Sequence, residues 1–297
     1  MRQKPLEAHT RRQLDVRFDE VLTAAVPENK PESKTIAARP FVKWVGGKRS
    51  ILPELIARMP EQYGTYHEPF LGGGALFFAV QPKSATLSDI NFHLIVAFQA
   101  VRDDVDEVIR YLEIHEDRHN KEYYERARIR LFKETEPAKI AAMFIYLNKT
   151  CYNGLYRVNQ SGKFNVPMGD YEDPTIVDED NLRACSEALQ GVAIEQKSFS
   201  QIKPQRGGFY YLDPPYHSTF NGYSGKGFGD EEHTKLAAFC DEIHKKGGYF
   251  MLSNSDTAFV RVLYKNYTME DVSASRFVSC KPKQRGKENE LIIRNYK

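Results

Sequence analysis

The class of fold is predicted most directly by residues 63–80, which read YGTYHEPFLGGGALFFAV. The first eight of these residues are typical of a strand, three consecutive glycines follow, and the apolar run ALFFAV predicts a helix. Glycines at such a turn let the backbone pass close to a ligand because no Cβ blocks the approach. The next strand ends in ATLSDIN, residues 85–91. A strand, a glycine turn, a helix and a second strand open a parallel, doubly wound sheet.

A carboxylate, Asp89, follows the second strand. At this position it can accept hydrogen bonds from both hydroxyls of a ribose. The alternative, open at this stage, is that Asp89 or Asn91 caps the following helix, HLIVAFQAV. Glycine turns of this kind bind NAD, FAD, other nucleotides and S-adenosylmethionine. The turn here is GGGxxF and not GxGxxG, which disfavours a nicotinamide cofactor.

Three successive predicted helices interrupt the α/β alternation between residues 104 and 147. They contain no strand candidate, which predicts an inserted helical subdomain. Residues 151–171 are rich in Asn, Gly, Tyr and Arg, as expected for a loop or a hairpin. The alternation then returns with strand candidates AIEQKSF, GGFYYLDPPY and GGYFMLSNS, and with helices around 231–246 and 256–264. A predicted antiparallel pair, YTMEDVSAS and NELIIRNY, joined by the basic loop 281–287, closes the chain.

Composition limits the class of protein. Hydrophobic residues make up 41% of the chain and charged residues 28%, as in an ordinary soluble globular protein. No apolar stretch is long enough to cross a bilayer and the N-terminus lacks a secretory signal, so we expect a cytoplasmic protein without a membrane partner. The four cysteines form no CxxC pair and have no His at ligand spacing, which predicts reduced thiols and no metal site. They are Cys151, Cys185, Cys240 and Cys280.

The net charge of +2 is distributed unevenly. Segments 121–169 and 261–297 each carry nine Lys and Arg against four Asp and Glu. Such clusters are suited to contact with phosphates, and they are equally suited to solvated helix faces. Charge therefore supports a nucleic-acid partner without establishing it.

The tetrapeptide DPPY, residues 213–216, directly follows the apolar strand FYYL. Its two prolines restrict the backbone before any ligand arrives. The Asp213 carboxylate and the Pro214 carbonyl can accept the two hydrogens of an exocyclic adenine amine, and Tyr216 offers a face on which the base can stack. Held in this way, the nitrogen lone pair leaves conjugation with the ring and can attack a methylsulfonium. The alternative is a Pro-Pro turn with a capping Asp, which the position at a strand end disfavours.

With these motifs in this order, the chain closely resembles the Dam-type DNA adenine methyltransferases (D12 class, alpha group), and most closely their GATC-methylating members. The resemblance runs from about Phe41 to Tyr296. FVKWVGGKRSILPELIARMP resembles the N-terminal cofactor motif, EPFLGGGALFF the methionine-side loop and SDIN the ribose site. YNGLYRVN with FNVPMGDY resembles the DNA-reading hairpin, and LSNSD and ENELIIRNY resemble late strands.

The resemblance implies S-adenosylmethionine as the cofactor, with S-adenosylhomocysteine as the product. It assigns catalysis to Asp213, Pro214 and Tyr216. It assigns the cofactor pocket to Trp44, Lys48, Glu68, Phe70, Gly72, Asp89, Ser198, Phe199 and Asp213. Within this set Asp89 would hold the ribose, and Ser198 and Phe199 would contact the cofactor's adenine.

The same resemblance implies double-stranded DNA as the partner. Tyr152 would wedge into the duplex beside the extruded base, with Asn153 next to it. Arg157 would contact a guanine, as its fork matches guanine O6 and N7. The remaining implied DNA contacts are Lys43 to the first guanine, Leu155 and Pro167 to a thymine methyl, and Tyr171 completing the hairpin.

The sequence therefore predicts an α/β, Rossmann-like S-adenosylmethionine-dependent methyltransferase fold: a mixed, seven-strand-type sheet with a helical target-recognition insertion. The expected organisation is a flexible tail over 1–40, a catalytic domain over 41–95 plus 190–297, and a target-recognition domain over 96–189 that contains the hairpin 151–171. The predicted function is site-specific DNA adenine N6-methylation in GATC, in a bacterial or phage-infected cell. A cognate restriction endonuclease is a second candidate partner. The alternatives are an RNA or protein amide methyltransferase and a non-catalytic module that binds DNA and cofactor.

Overall fold

A computed structural model describes residues 36–159, 161–217, 228–275 and 287–297, and within these ranges seven strands form one sheet. The strands are β1 (Tyr66–Glu68), β2 (Ala85–Asp89), β3 (Ala193–Gln196), β4 (Phe209–Leu212), β5 (Tyr249–Ser255), β6 (Thr268–Ser275) and β7 (Lys287–Arg294). Their spatial order is β3-β2-β1-β4-β5-β7-β6. The first five are parallel, whereas β7 pairs antiparallel with both β5 and β6. The predicted mixed seven-stranded α/β fold is confirmed, including its closing antiparallel pair.

The order of the strands locates a ligand site. Chain order reverses between β1 and β4, which are parallel neighbours. Ligands of open α/β sheets bind at the carboxyl ends of the strands at such a reversal. Here Glu68 is the last residue of β1 and Asp213 directly follows β4, so the two carboxyl groups flank this point.

Nine α-helices lie in the described part of the chain. They are α1 (Leu52–Ala57), α2 (Ala75–Val80), α3 (Phe92–Asp103), α4 (Val105–Asp117), α5 (Lys121–Arg130), α6 (Pro137–Thr150), α7 (Glu179–Leu189), α8 (Asp230–Lys245) and α9 (Ala258–Leu263). Side-chain caps begin two of the insertion helices: Asp104 accepts from Glu107 N at 3.3 Å for α4, and Asn120 accepts from Tyr123 N at 2.9 Å for α5. The predicted helices over 104–147 are thus present as α4, α5 and α6.

Strand β4 is buried on both faces of the sheet. Phe209 and Tyr211 join a core that extends through α3 and α6, whereas Tyr210 and Leu212 join a second core beneath α8. Alternate residues of a strand point to opposite faces, and a strand covered on both sides is apolar throughout. This double burial fixes the position of the DPPY segment that leaves β4. Because α6 shares a core with the sheet, the division into a catalytic and a recognition domain stays a prediction.

Further predictions from the sequence concern the tail, the cysteines, membrane spans and metal sites. Residues 1–35 of the predicted tail, Cys280 and all but the last residue of the loop 281–287 lie outside the described residues. Cys151, Cys185 and Cys240 are buried free thiols. None of the helices in the described ranges combines the length and apolar character needed to span a membrane. In the same ranges no group of three or more His, Cys, Asp or Glu side chains is arranged to hold a metal.

Candidate active site and nucleic-acid interface

The predicted cofactor residues meet at the carboxyl edge of the sheet. Parallel pairing sets Glu68 opposite Leu87 and Asp89 opposite Gln196. A backbone bond from Lys197 N to Asp89 O, 3.0 Å long, extends the pairing beyond β3. The residues after β3, including Ser198, therefore lie beside the end of β2.

Asp89 organises the glycine loop. Its Oδ2 accepts from Gly72 N at 3.1 Å and its Oδ1 accepts from Asn91 N at 2.9 Å. Asn91, and not Asp89, caps α3 by accepting from Leu94 N at 3.1 Å. Burial raises the pKa of Asp89 from its usual value, although these backbone N–H bonds act in the opposite direction.

Gly72 brings Trp44 against the loop. With φ at +49°, Gly72 occupies the left-handed region that favours glycine. A Cβ on this residue would lie 2.7 Å from Trp44 Cδ1. The other neighbour of the indole is Tyr156, stacked at 6.0 Å between ring centroids with an interplanar angle of 19°. Trp44 thus bridges the predicted cofactor loop and the hairpin segment.

Aromatic rings form a wall on the other side of this edge. Phe70 stacks on Phe199 with ring centroids 5.5 Å apart, and Phe228 meets Phe70 edge-on at 5.8 Å. Phe199 begins a short 3₁₀ turn that Ser198 caps by accepting from Ser200 N. Rings in this arrangement suit contact with a planar base. Phe228 was not predicted, because its distance from the motifs in sequence gives no signal of this contact.

The charged centre of the site is an ion pair between Lys48 and Asp213. Lys48 Nζ lies 2.8 Å from Asp213 Oδ1, and their side chains are 5% and 20% exposed. The same ammonium donates to Gly46 O at 2.6 Å and lies 4.8 Å from the centroid of the Tyr216 ring. Lys48 therefore connects the N-terminal motif to the DPPY segment across 165 residues of sequence.

Two carboxyl groups at the reversal point differ in their ionisation. Burial raises the pKa of Asp213 to about 6, against the opposing effect of Lys48. Burial raises the pKa of Glu68 to about 8, and the nearby Asp213 charge adds to this rise. Tyr66 donates a 2.7 Å hydrogen bond to Glu68 Oε2, which partly opposes it. At neutral pH Glu68 is mainly a neutral acid and Asp213 mainly a carboxylate, a division of roles that active sites use.

A consequence for stability follows from Glu68. The folded protein holds a proton on Glu68 up to a pKa of about 8, whereas the ordinary value is 4.5. Because the folded state binds more protons, this group's contribution to stability is fully present below pH 4.5 and is lost as pH rises through 8. Glu68→Gln is therefore expected to stabilise the cofactor-free protein relative to wild type at pH 8, by on the order of several kcal/mol, and much less at pH 5.

Denaturant unfolding of both proteins at the two pH values measures this difference. Glu113→Gln, at an exposed position on α4, is the matched control and should show no pH-dependent difference. An equal effect of Glu68→Gln at both pH values would contradict the assigned ionisation.

Three further polar residues, which were not predicted from the sequence, form hydrogen bonds with Tyr216 of the DPPY segment and with His217 directly after it. Tyr216 donates to Glu290 Oε2 at 2.7 Å, and Glu290 is buried on β7. Asn254 Oδ1 accepts from His217 N at 3.0 Å, and Ser255 Oγ donates to His217 O at 2.7 Å. The motifs LSNSD and ENELIIRNY contain these residues, but their roles depend on β5 and β7 being neighbours.

On the predicted DNA side, Lys43 and Tyr171 lie together. Lys43 Nζ is 4.4 Å from the Tyr171 ring centroid and 3.4 Å from its hydroxyl. The backbone of Lys43 is held by Asn148, whose Oδ1 accepts from Lys43 N at 2.7 Å and whose Nδ2 donates to Lys43 O at 2.8 Å. Nδ2 is also 3.2 Å from Gly154 O. Asn148, buried and not predicted, thus fixes the N-terminal motif to the hairpin.

The segment 151–171 is a hairpin-like loop with isolated antiparallel bridges Cys151–Met168 and Val158–Phe164. Tyr152 is 46% exposed at its turn, and the neighbouring Asn153 has a φ of +55°. Arg157 is exposed, with Nε donating to Asn165 Oδ1 at 2.8 Å. Pro167 is exposed as well, whereas Leu155 is half-buried and packs against the core. All but Leu155 of the predicted hairpin contacts are therefore presented at the surface.

Comparison with known proteins agrees with this geometry. The model of the family described as D12 class N6 adenine-specific DNA methyltransferase matches residues 44–277. A type II methyltransferase of Lactococcus lactis subsp. cremoris is 38% identical over 282 residues, covering 90% of this chain and 99% of its own. A type II methyltransferase of Methanocaldococcus jannaschii is also 38% identical, over 87% of this chain and 99% of its own. A DNA adenine methylase of Haemophilus influenzae is 33% identical, over 90% of this chain and 96% of its own.

Proposed function

Because this chain belongs to the D12 class of N6 adenine-specific DNA methyltransferases, we propose that it methylates an adenine rotated out of duplex DNA, within the sequence GATC. It is a DNA adenine methyltransferase that uses S-adenosylmethionine. The observation that carries the proposal is an ionised carboxylate, Asp213, at the end of a strand buried on both faces and paired with the buried Lys48. The DNA-methyltransferase family disfavours the RNA, protein amide and non-catalytic alternatives.

The carboxyl edge of the sheet fits the cofactor. A carboxylate offers about four lone-pair sites, and the two backbone donors described above leave Asp89 able to accept from a ribose. Phe199 with Phe70 provides a surface for the adenine, and the absence of a Cβ on Gly72 lets Trp44 pack directly against the glycine loop. Glu68, Lys48 and Trp44 would line the methionine part, and Ser198 the adenine part. When bound, S-adenosylmethionine supplies a methyl group on a sulfonium that a nucleophile can remove by in-line displacement.

The residues of the chain prepare the nucleophile. Asp213 Oδ1 is buried against Lys48, and we assign Oδ2 and the Pro214 carbonyl as acceptors for the two hydrogens of the target amine. Tyr216, held by Glu290, presents its ring to the base. Rotating the base out of the duplex costs a few kcal/mol of stacking. During or after transfer of the methyl group, the nitrogen loses a proton to Asp213 or to solvent, and a carboxyl with a pKa of about 6 can accept it transiently.

The choice of GATC rests on the exposed hairpin. Arg157 and the adjacent pair Lys43 and Tyr171 provide two cationic contact points. An Arg fork accommodates guanine O6 and N7, and a Lys can contact the same acceptors. Tyr152 and Asn153 at the exposed turn are assigned to the space left by the extruded base, and Leu155 and Pro167 to the thymine methyl.

Arg157→Ala is expected to relax discrimination at a single base pair of the target by about 1–3 kcal/mol. The measurement is kcat/KM for methyl transfer to a GATC duplex and to duplexes with one substituted base pair each. Lys163→Ala removes a cation from an exposed position of the same hairpin and is the matched control. A uniform loss on all duplexes would show that Arg157 contacts only phosphate.

The cellular setting follows from the substrate. We place the reaction in the cytoplasm of a bacterial or phage-infected cell, where such DNA is found. Relatives named type II methyltransferases support a cognate restriction endonuclease as a second partner. DNA modified by this protein should then resist cleavage by an endonuclease that shares its target sequence.

A further inference from the structure

A cavity of about 530 Å³ lies among helices α4, α5 and α6, away from the carboxyl edge of the sheet. None of the residues assigned above to the cofactor, to catalysis or to DNA lines it. Along α6 the lining residue Met143 precedes Cys151, where the hairpin begins, by eight residues, or about 12 Å of helix. The cavity is therefore a second candidate site, separate from the one already described.

Positive charge surrounds this cavity. Arg118, Arg126, Arg130 and Lys139 line it, together with a single carboxylate, Glu134. Three of the cations have acidic partners: Arg126 lies 3.5 Å from Glu122, Arg130 lies 3.4 Å from Glu134, and Lys139 pairs with Glu136. For the Arg118 side chain, the described residues provide neither an ion pair nor a hydrogen bond. The lining thus carries more positive than negative charge, which favours an anionic ligand.

One wall of the cavity contains a polar pair, of which His115 is buried and Tyr123 half-buried. His115 is 7% exposed, and its Nδ1 lies 2.8 Å from the Tyr123 hydroxyl. Burial lowers the pKa of His115 to about 4, and the charges of Arg130 and Arg118 add to this effect. The same two cations, with Arg126, oppose the rise that burial causes in the pKa of Tyr123. Three guanidinium groups therefore act on one hydroxyl.

The cavity also has apolar and aromatic parts. Ile114, Ala127, Met143 and Tyr111 complete its lining. Its volume lies within the range of small-molecule sites, which are mainly apolar with a few convergent polar groups. Guanidinium groups bind phosphate through paired N–H donors. A concave site with an aromatic wall suits a small molecule better than the convex backbone of a duplex.

We propose that the cavity between α4, α5 and α6 binds a small phosphate-bearing molecule of mononucleotide size. Arg118 and Arg130 contact the phosphate, and the wall formed by Ile114, Met143 and Tyr123 contacts the rest of the ligand. The proposal does not depend on which DNA sequence the methyltransferase recognises.

The test uses the full-length protein saturated with S-adenosylhomocysteine, so that an adenine nucleotide cannot enter the cofactor pocket. ATP and inorganic pyrophosphate are titrated and binding is followed by calorimetry. Wild type should bind one ATP per chain. The double variant Arg118→Gln/Arg130→Gln should weaken binding by about tenfold or more, since each substitution removes charge-assisted hydrogen bonds. Lys121→Gln/Lys133→Gln removes the same charge from exposed positions of the same subdomain outside the cavity, and should change affinity by less than about twofold.

Two outcomes overturn the proposal: no binding of either probe at millimolar concentration, and equal weakening in both double variants. A third outcome also overturns it. If ATP fails to bind, and Arg118→Gln/Arg130→Gln weakens binding of a long duplex but not of a short one, the cavity contacts the phosphates of flanking DNA. GATC methylation measured on every variant keeps these outcomes apart from a failure of the proposed function.

Discussion

Replacing Asp213 by alanine is expected to lower kcat for methyl transfer by at least about 10²–10³-fold, the usual effect of removing one preorganised polar group from a reacting centre. Without the carboxylate only the Pro214 carbonyl remains to accept from the target amine, so the nitrogen lone pair stays conjugated with the ring. Binding of the duplex should change far less, because the hairpin does not depend on this side chain. Single-turnover kinetics with labelled S-adenosylmethionine and a GATC duplex measure the step.

Asp213→Ala also leaves the buried ammonium of Lys48 without its partner, which destabilises a folded protein. Asp213→Asn is the variant that separates folding from catalysis, because its amide oxygen keeps a partner for Lys48 while the charge is lost. Asp103→Ala, at an exposed position at the end of α3, is the matched control. Full activity of a folded Asp213→Asn protein with bound cofactor would remove Asp213 from its catalytic role.

Methyl transfer by Lys48→Met is expected to fall by about 10²-fold at pH 6 and to recover as pH rises. The wild-type pKa of Asp213 is about 6 because Lys48 opposes the effect of burial. A cation at this distance typically lowers a carboxyl pKa by about 1–3 units, so its removal raises the pKa of Asp213 accordingly. The carboxylate is the form that accepts from the amine, and activity is therefore lost as pH falls through this pKa. The acidic limb of the kcat profile should move from near pH 6 to higher pH.

The readout that isolates this role is the position of the limb and not the rate at one pH. If Lys48 served only to hold the cofactor, Lys48→Met would raise KM for S-adenosylmethionine and leave the limb in place. Lys48→Arg, which keeps the charge, should retain a limb near that of wild type. Lys83→Met, at an exposed position after α2, controls for loss of a lysine.

Local patterns were sufficient to predict much of the fold. The stretch 63–80 has a strand, a glycine turn and a helix within eighteen residues, and the strand Tyr66–Glu68 and the helix Ala75–Val80 lie on either side of the glycines, as the pattern predicts. DPPY after FYYL likewise marks the end of a buried strand. Asp89 illustrates the limit of such patterns. The helix that follows could be capped by the Asp89 carboxylate or by the side-chain amide of Asn91, two residues later, and the sequence does not distinguish the two. Only the hydrogen bond from Leu94 N to Asn91 decides between them.

Contacts between distant segments could not be predicted in this way. Glu290 reaches Tyr216 because β7 inserts between β5 and β6, an order that periodicity does not encode. Asn148 binds Lys43 across 105 residues, and in sequence it is merely one polar residue in an apolar helix. The pairing of Lys48 with Asp213 and the raised pKa of Glu68 likewise depend on burial, which follows from the packed sheet and not from either motif.

We propose that this protein methylates adenine in GATC. The most direct test is to incubate the full-length protein with S-adenosylmethionine and unmethylated genomic DNA, and then to map N6-methyladenine at base resolution. Methylation confined to the adenine of GATC is the predicted result. Methylation at another adenine-containing sequence would keep the reaction but contradict GATC as the target, together with the base contacts assigned to Lys43 and Arg157. No N6-methyladenine despite bound cofactor would contradict the reaction as well.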